Sequence, residues 1–277
     1  MKFLRNLAIA AVAALALTGP APVQAQDTQQ ALSGDSVIET IKRRGVLKVG
    51  MATFVPWAMR DKDGNLIGFE IDVAKKVAED MGVEVEFVPT AWDGIIPALI
   101  SGKFDVIIGG MSVTPARNLT VNFTEPYAHS SVGTMANIGN SKDIVWPEGY
   151  NSTDVTFSCR RGATPCEYIK KHFPKATLRL FDDQNQVVQE VLNGNANIML
   201  GSQPLPAFVI YDNPEVVFAA TDTKIDPSDE AFALRKGDPD ALNFFNNWIR
   251  LRTRDGWLEE RHQYWFGGRP WADQVPD

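Results

Sequence analysis

ISGKFDVIIGGMSVTPAR, from Ile100 to Arg117, is the stretch on which the fold turns. A helix end stops at Gly102, a short polar turn follows, and the apolar run FDVIIGG reads as a buried strand. A turn after such a strand needs glycine or proline, but not a cationic fork just behind two hydroxyls. In open α/β sheets, ligands sit at the carboxyl ends of strands, beside the helix that follows. Gly109 and Gly110 let a ligand approach the backbone there. Thr114 and Pro115 read as a helix N-cap and first helical position. The free N–H groups and positive dipole end of that helix then face whatever Ser112 faces. Arg117 adds a planar fork matched to a carboxylate. Phosphate fits less well, because neither a glycine-rich P-loop nor a lysine accompanies the turn. The bland alternative is a capped surface helix whose arginine pairs with a neighbouring aspartate.

The same grammar runs outward in both directions. VLKVGMA, VEVEFVP, VTFSC, ATLRLF and EAFALRKGD read as strands. GFEIDVAKKVAEDMG, WDGIIPALISG, TPCEYIKKHF and DQNQVVQEVLNG read as helices, and DKDGN (Asp61–Asn65) as a tight turn. LNGNANIMLGS (Leu192–Ser202) repeats the form of ISGKFDVIIGG: helix end, glycine stop, apolar strand, small residues. A diverged second α/β unit accounts for this match. Alternation of this kind predicts largely parallel sheets flanked by helices, in two lobes of roughly 100–150 residues. The tail supplies two amphipathic helices whose Trp248, Trp257, Trp265 and Phe266 are expected in packing, not around a ligand.

The first residues bear on the compartment. Lys2 and Arg5 precede a short apolar run, and VQA before Gln26 has the small-x-small form of a cleavage site. Residues 1–25 therefore read as a secretory signal peptide, with a membrane anchor as the alternative, and 26–35 as a flexible polar arm. The 277-residue chain has 27 basic and 34 acidic residues and a net charge of −7. Loss of Lys2 and Arg5 with the leader makes it more acidic still, and that balance disfavours nucleic acid as a partner. Two cysteines, Cys159 and Cys166, fit one disulfide in an oxidising compartment, with two free thiols as the alternative. They are not expected to bind metal, since no histidine sits near them at ligand spacing.

Taken in order, LKVGMATFVPW, DGNLIGFEIDVAKKVAEDMGV, VEFVPTAWDGIIPALISGKFDVIIGGMSVTPAR, VNFTEPY and RDGWLEERHQYWFG resemble the polar-amino-acid family of periplasmic solute-binding proteins, the receptor subunits of ABC importers. The resemblance implies a type II two-lobed periplasmic-binding-protein-like α/β fold, with two hinge crossings between lobes that close on the ligand. Lobe I would take 36–129 and 223–277, and lobe II 130–222. It also implies a monomeric periplasmic carrier without cofactor. Such a carrier delivers a small carboxylated solute, an amino acid or analogue, to an inner-membrane ABC permease. Position by position, Arg117 would clamp the α-carboxylate with Ser112, and the Gly110 carbonyl would accept from the α-ammonium. Phe54 would stack on the ligand, Trp92 would line the same wall, and a main-chain N–H at Thr164 would complete the carboxylate site.

The departures carry information too. Ser202 stands where the family usually has an aspartate for the α-ammonium, and a hydroxyl cannot replace that charge. Met51 stands where binders of cationic amino acids often carry an acid. Arg160 and Arg161 occupy a lobe II rim that is usually neutral. One of them turned inward would favour a second acidic group on the ligand, and the alternative is that both are solvated. A bridge between Cys159 and Cys166 would rigidify the loop RRGATP between them. A dehydratase-like enzyme on the same fold is the rival reading, with Glu125, Asp182 and Asp183 as candidate proton carriers. A sensory or scaffold protein is a third. No esterase or metalloprotease motif is present, and His129, His172 and His262 are scattered.

Overall fold

The structure, a computed structural model, describes residues 36–276. The leader expected over 1–25 and the arm over 26–35 lie outside the described residues. The described residues form eleven strands: β1 Val46–Met51, β2 Met59–Arg60, β3 Leu66–Ile67, β4 Glu84–Pro89, β5 Val106–Ile107, β6 Asn122–Asn137, β7 Thr156–Arg160, β8 Thr177–Phe181, β9 Ile198–Ser202, β10 Val217–Phe218 and β11 Ile225–Leu234. Around them lie α1 Val37–Arg44, α2 Phe69–Met81, α3 Ile95–Ile100, α4 Pro115–Asn118, α5 Ile138–Ser141, α6 Thr164–His172, α7 Gln184–Leu192, α8 Leu205–Asp212, α9 Pro239–Arg254 and α10 Trp257–Phe266.

Nine strands form one sheet in the order β4-β1-β5-β11-β6-β9-β7-β8, with β10 added against β6. β1 runs parallel to β4 and β5, and β7 runs parallel to β8 and β9, so each half keeps the parallel α/β character expected. The two halves are welded by a pair of long antiparallel strands. Toward one end of β6, Asn122 pairs with Leu234 of β11, while toward the other Val132 to Ala136 pair with β9. Register shifts in β11 fall between Ile225 and Ser228 and around Ala231. Bulges of this kind bend and twist a strand where it passes from one half to the other.

Each half has its own core. Leu47, Val49, Phe69, Val77, Phe232 and Phe245 fill one, and Phe104, Ile107 and Leu99 fill the layer on the other face of that sheet. Tyr150, Phe157, Ile169, Phe173 and Ile198 fill the second half, with Val187, Val191 and Met199 behind them. The C-terminal aromatics belong to the first core: Trp248 and Trp265 are buried, and Trp257 and Phe266 pack against them.

Two local expectations are corrected. FDVIIGG keeps only two ladder residues, because Ile108 still donates to the Gly50 carbonyl but Gly109 and Gly110 turn the chain away. The helix after it is one turn long. Thr114 caps it as expected, its Oγ1 accepting from the Arg117 N–H at 3.2 Å. Four residues sum to little macrodipole, so the positive charge here comes from the Arg117 side chain and not from the helix.

Cys159 and Cys166 are bridged and buried, joining the end of β7 to the first turn of α6. A loop this short gives a chain-entropy contribution of about 2.5 kcal/mol. Cys159→Ser with Cys166→Ser should therefore lower the urea-unfolding free energy by that amount, and an unchanged midpoint would overturn it.

Candidate functional site

The parallel strands of both halves end at one cleft, and the loops that follow them face each other across it. From the first half come the turn after β1 with Phe54, the 3-10 turn Trp92–Gly94 before α3, and Ser112 and Arg117 after β5. From the second come Arg160 to Thr164, between β7 and α6, and the N-terminus of α7.

Arg117 is turned inward. Its Nη1–H donates to the Ser112 carbonyl at 2.8 Å, and its Nη2–H crosses the cleft to the Gly162 carbonyl at 3.1 Å. Its guanidinium carbon lies 5.7 Å from the centroid of the Trp92 ring. Burial lowers its pKa to about 10, with the Glu230 charge opposing the shift, so it stays cationic at neutral pH. The close approach at Gly162 needs glycine: φ is +76°, and a Cβ would stand 3.2 Å from the Asp93 backbone opposite. Gly110 is similar, with φ +61° and Phe54 and Trp57 about where a Cβ would go.

Arg160 also enters the cleft. It lies between two rings, 4.7 Å from the Phe54 centroid and 4.7 Å from that of Trp92. Burial lowers its pKa to about 10, with Arg117 adding to the shift and Asp183 opposing it. Arg161 does the opposite. It stays on the rim and pairs with Asp182 at 2.9 Å, so of the two arginines only one faces inward.

The structure thus brings Arg117, Ser112, Phe54, Trp92 and Arg160 together, with Gly110 against Phe54. Thr164 borders cavities of about 370 and 550 Å³ beside Ser112 and Arg117. Ser202 stands apart: it ends β9 opposite Val132, and its hydroxyl makes no hydrogen bond among the described residues.

Two carboxyls were missed by sequence reasoning. Glu230 on β11 forms an antiparallel bridge with Ser112, and its Oε1 accepts from Ser228 Oγ at 2.8 Å and lies 3.4 Å from Ser112 Oγ. Its Oε2 is buried without a partner. Burial pushes its pKa up to about 8, with the Asp229 charge adding to the shift. Glu70, on α2, is fully buried and bonded to the Tyr127 hydroxyl, which accepts from the Gly110 N–H at 3.1 Å. Burial pushes Glu70 to about 8 as well. The available signal was an acid opening an apolar strand in EAFAL, and one inside the apolar GFEIDVA.

The expected proton carriers are engaged elsewhere. Glu125 is half-buried and paired with Arg250, Asp182 is taken by Arg161, and Asp183 Oδ1 caps α7 by accepting from Asn185 and Gln186. His129 pairs with Asp229 on the surface, His172 stacks on Tyr168, and His262 packs on Phe69.

Two α/β halves crossed by two strands, with a polar and aromatic cleft at the strand ends, define a type II periplasmic binding fold. Residues 47–268 match the profile of the bacterial extracellular solute-binding proteins, family 3. The chain belongs to that family, the solute-capturing subunits of amino-acid ABC importers. It is 27% identical to the L-cystine-binding protein TcyJ of Escherichia coli over 86% of this chain and 89% of that one. It is 23% identical to a cyclohexadienyl dehydratase of Pseudomonas aeruginosa, over 95% of each. A putative ABC-transporter binding component from Wolinella succinogenes, solved with lysine, superposes with a TM-score of 0.77. That structure is 34% identical, over 83% of this chain and 99% of its own. Family members are extracytoplasmic, and no helix among the described residues is long and apolar enough to cross a membrane.

The raised Glu70 value makes stability depend on pH. Folded Glu70 holds a proton that the unfolded chain gives up above about pH 4.5, so its contribution is full below that pH and lost as pH rises toward 8. Glu70→Gln should remove a decline on the order of 4 kcal/mol between pH 5 and 8, leaving the part due to Glu230. Urea unfolding across that range checks this, and an equal decline in the variant would overturn it.

Proposed function

We propose that this protein captures an α-amino acid between its lobes and presents it to an inner-membrane ABC permease, as a monomer and without chemistry of its own. Lobe I is 36–129 with 223–277, and lobe II is 130–222. Supporting this division, the β6–β11 pair carries the chain between two separately packed cores.

One observation carries the reading: an inward guanidinium at Arg117, held by Ser112 and reaching the opposite lobe at Gly162. Two of its five N–H donors are used by backbone carbonyls, and the rest suit a carboxylate. Ser112 and the main-chain N–H at Thr164 complete the anion site. Phe54 and Trp92 form the apolar wall. The α-ammonium goes to the Gly110 carbonyl and to Glu230, which takes over the charge that Ser202 lacks. Burial, with the Asp229 charge adding to it, favours the neutral form of Glu230 against the pull of Arg117, and an arriving ammonium would favour its ionised form.

Calorimetry with a panel of amino acids tests this. Arg117→Ala should weaken every carboxylated ligand by about 2–5 kcal/mol, because it unpairs a desolvated charge. Retained affinity would show that the site lies elsewhere. A second measurement isolates Glu230. An arriving ammonium lowers its pKa, so binding below about pH 8 should release a proton. Heats measured in buffers of different ionisation enthalpy should show that release in the wild type and not in Glu230→Gln. An unaltered proton count would overturn the assignment.

The enzyme reading keeps one supporting observation, since a neutral carboxylic acid at Glu230 beside Arg117 is a candidate proton donor. Consumption of a bound cyclohexadienyl carboxylate, abolished in Glu230→Gln, would favour it over a carrier.

A further inference from the structure

Arg160 is only 7% exposed, and its Nε and Nη1 are shut away from solvent without a hydrogen-bond partner. Among the described residues, no carboxylate lies within ion-pair distance of it. Asp183, which is near enough to be felt, spends Oδ1 on the α7 N-terminus, and Asp182 is held by Arg161. Its neighbours are the ring faces of Phe54 and Trp92. Cation–π contact with two rings offsets part of the desolvation of the guanidinium. Dehydrating an ion that has no partner costs as much or more. The rings therefore hold the guanidinium in place but do not complete it, and an anion would.

Resting on the amino-acid reading above, we infer that Arg160 reads a second acidic group, so that the solute is an amino acid with an acid on its side chain. Arg160 and Arg117 lie against the same indole, and the two cations are matched to the two acid groups of one small molecule. Beside Arg160 is a cavity of about 260 Å³, bordered also by Thr53, Thr90 and Gln184 and, at its edge, by Asp182 and Asp183, which are engaged by Arg161 and by the α7 N-terminus. That space takes a side chain of a few heavy atoms, and the Thr53 hydroxyl and the Gln184 amide can donate to a carboxylate's remaining lone pairs, while the Thr90 hydroxyl donates to the Val88 carbonyl. A ligand cation at the same place would meet Arg160 as a like charge, and the two acids bordering that cavity, Asp182 and Asp183, already have partners in Arg161 and the α7 N-terminus.

The test is titration calorimetry with L-aspartate, L-glutamate and L-2-aminoadipate against L-asparagine, L-glutamine, L-lysine and L-arginine. At least one acidic member should bind about 10–100-fold more tightly than the amides, the range for a hydrogen-bonded charge. Arg160→Met keeps the apolar stem, and it should erase that preference, bringing the acids and their amides to within about 3-fold of each other. Arg160→Lys keeps the charge without the fork, should fall between the two, and carries the test if the methionine variant melts early. Lysine or arginine as the tightest ligand, or an acid preference unmoved by both variants, would overturn the inference. The amino-acid reading survives that result if Arg117→Ala still abolishes binding. If no member of the panel binds, both readings fall together.

Discussion

The hydrogen bond from Arg117 across the cleft to the Gly162 carbonyl is the contact on which the site depends. It ties the loop after β5 to the loop after β7, alongside Ala163, which packs against the cores of both halves. A glycine is needed there because the Asp93 backbone stands where a side chain would begin. The Cys159–Cys166 bridge spans the same loop, so the carbonyl is presented from a segment pinned on both sides. An arginine suits this place better than a lysine would. Its planar fork can serve both lobes and still keep donors for a ligand, whereas an ammonium is a point charge.

The electrostatics of the cleft run against those of the whole protein. The chain is acidic overall, yet the two charges that face into the cleft are guanidinium groups, Arg160 buried and Arg117 half-buried, and the two buried carboxyls near it are pushed toward their neutral forms. Desolvation is the largest cause in all four, but its consequence differs by residue type. An arginine begins so far above neutrality that a shift to about 10 leaves it charged, while a carboxyl shifted to about 8 is silenced. Burial alone thus selects cations over anions in the same space, and it gives the closed cleft a net affinity for negative groups.

Much of this was legible in the sequence, for identifiable reasons. The βα alternation, the second copy of the strand-and-glycine pattern at Leu192–Ser202, and the Thr114–Pro115 cap are local signals, and local signals survive into the fold. Arg117 could be assigned because its neighbours in sequence are also its neighbours in space. Glu230 could not, because what makes it part of the site is a bridge to Ser112 that closes only when β11 returns from the second lobe. Arg160 and Arg161 mark the boundary case. They are adjacent and alike, and strand alternation places one in the cleft and the other on the rim, but their order in sequence does not say which. The one-turn α4 was over-read, since a cap and a proline mark where a helix starts and not how far it runs.

On the reading proposed above, the aromatic pair lets a single residue set the charge that the cleft favours. Two ring faces set opposite one another form a site for a cation whatever molecule brings it. Here the chain fills the gap between Phe54 and Trp92 with its own Arg160, from the opposite lobe. The rings then serve as a support that holds the guanidinium beside the cavity, and on that reading the cleft beyond them favours an anion. The cost is a charge that must leave water each time the lobes close, and that cost is lowest when the captured solute carries the matching acid.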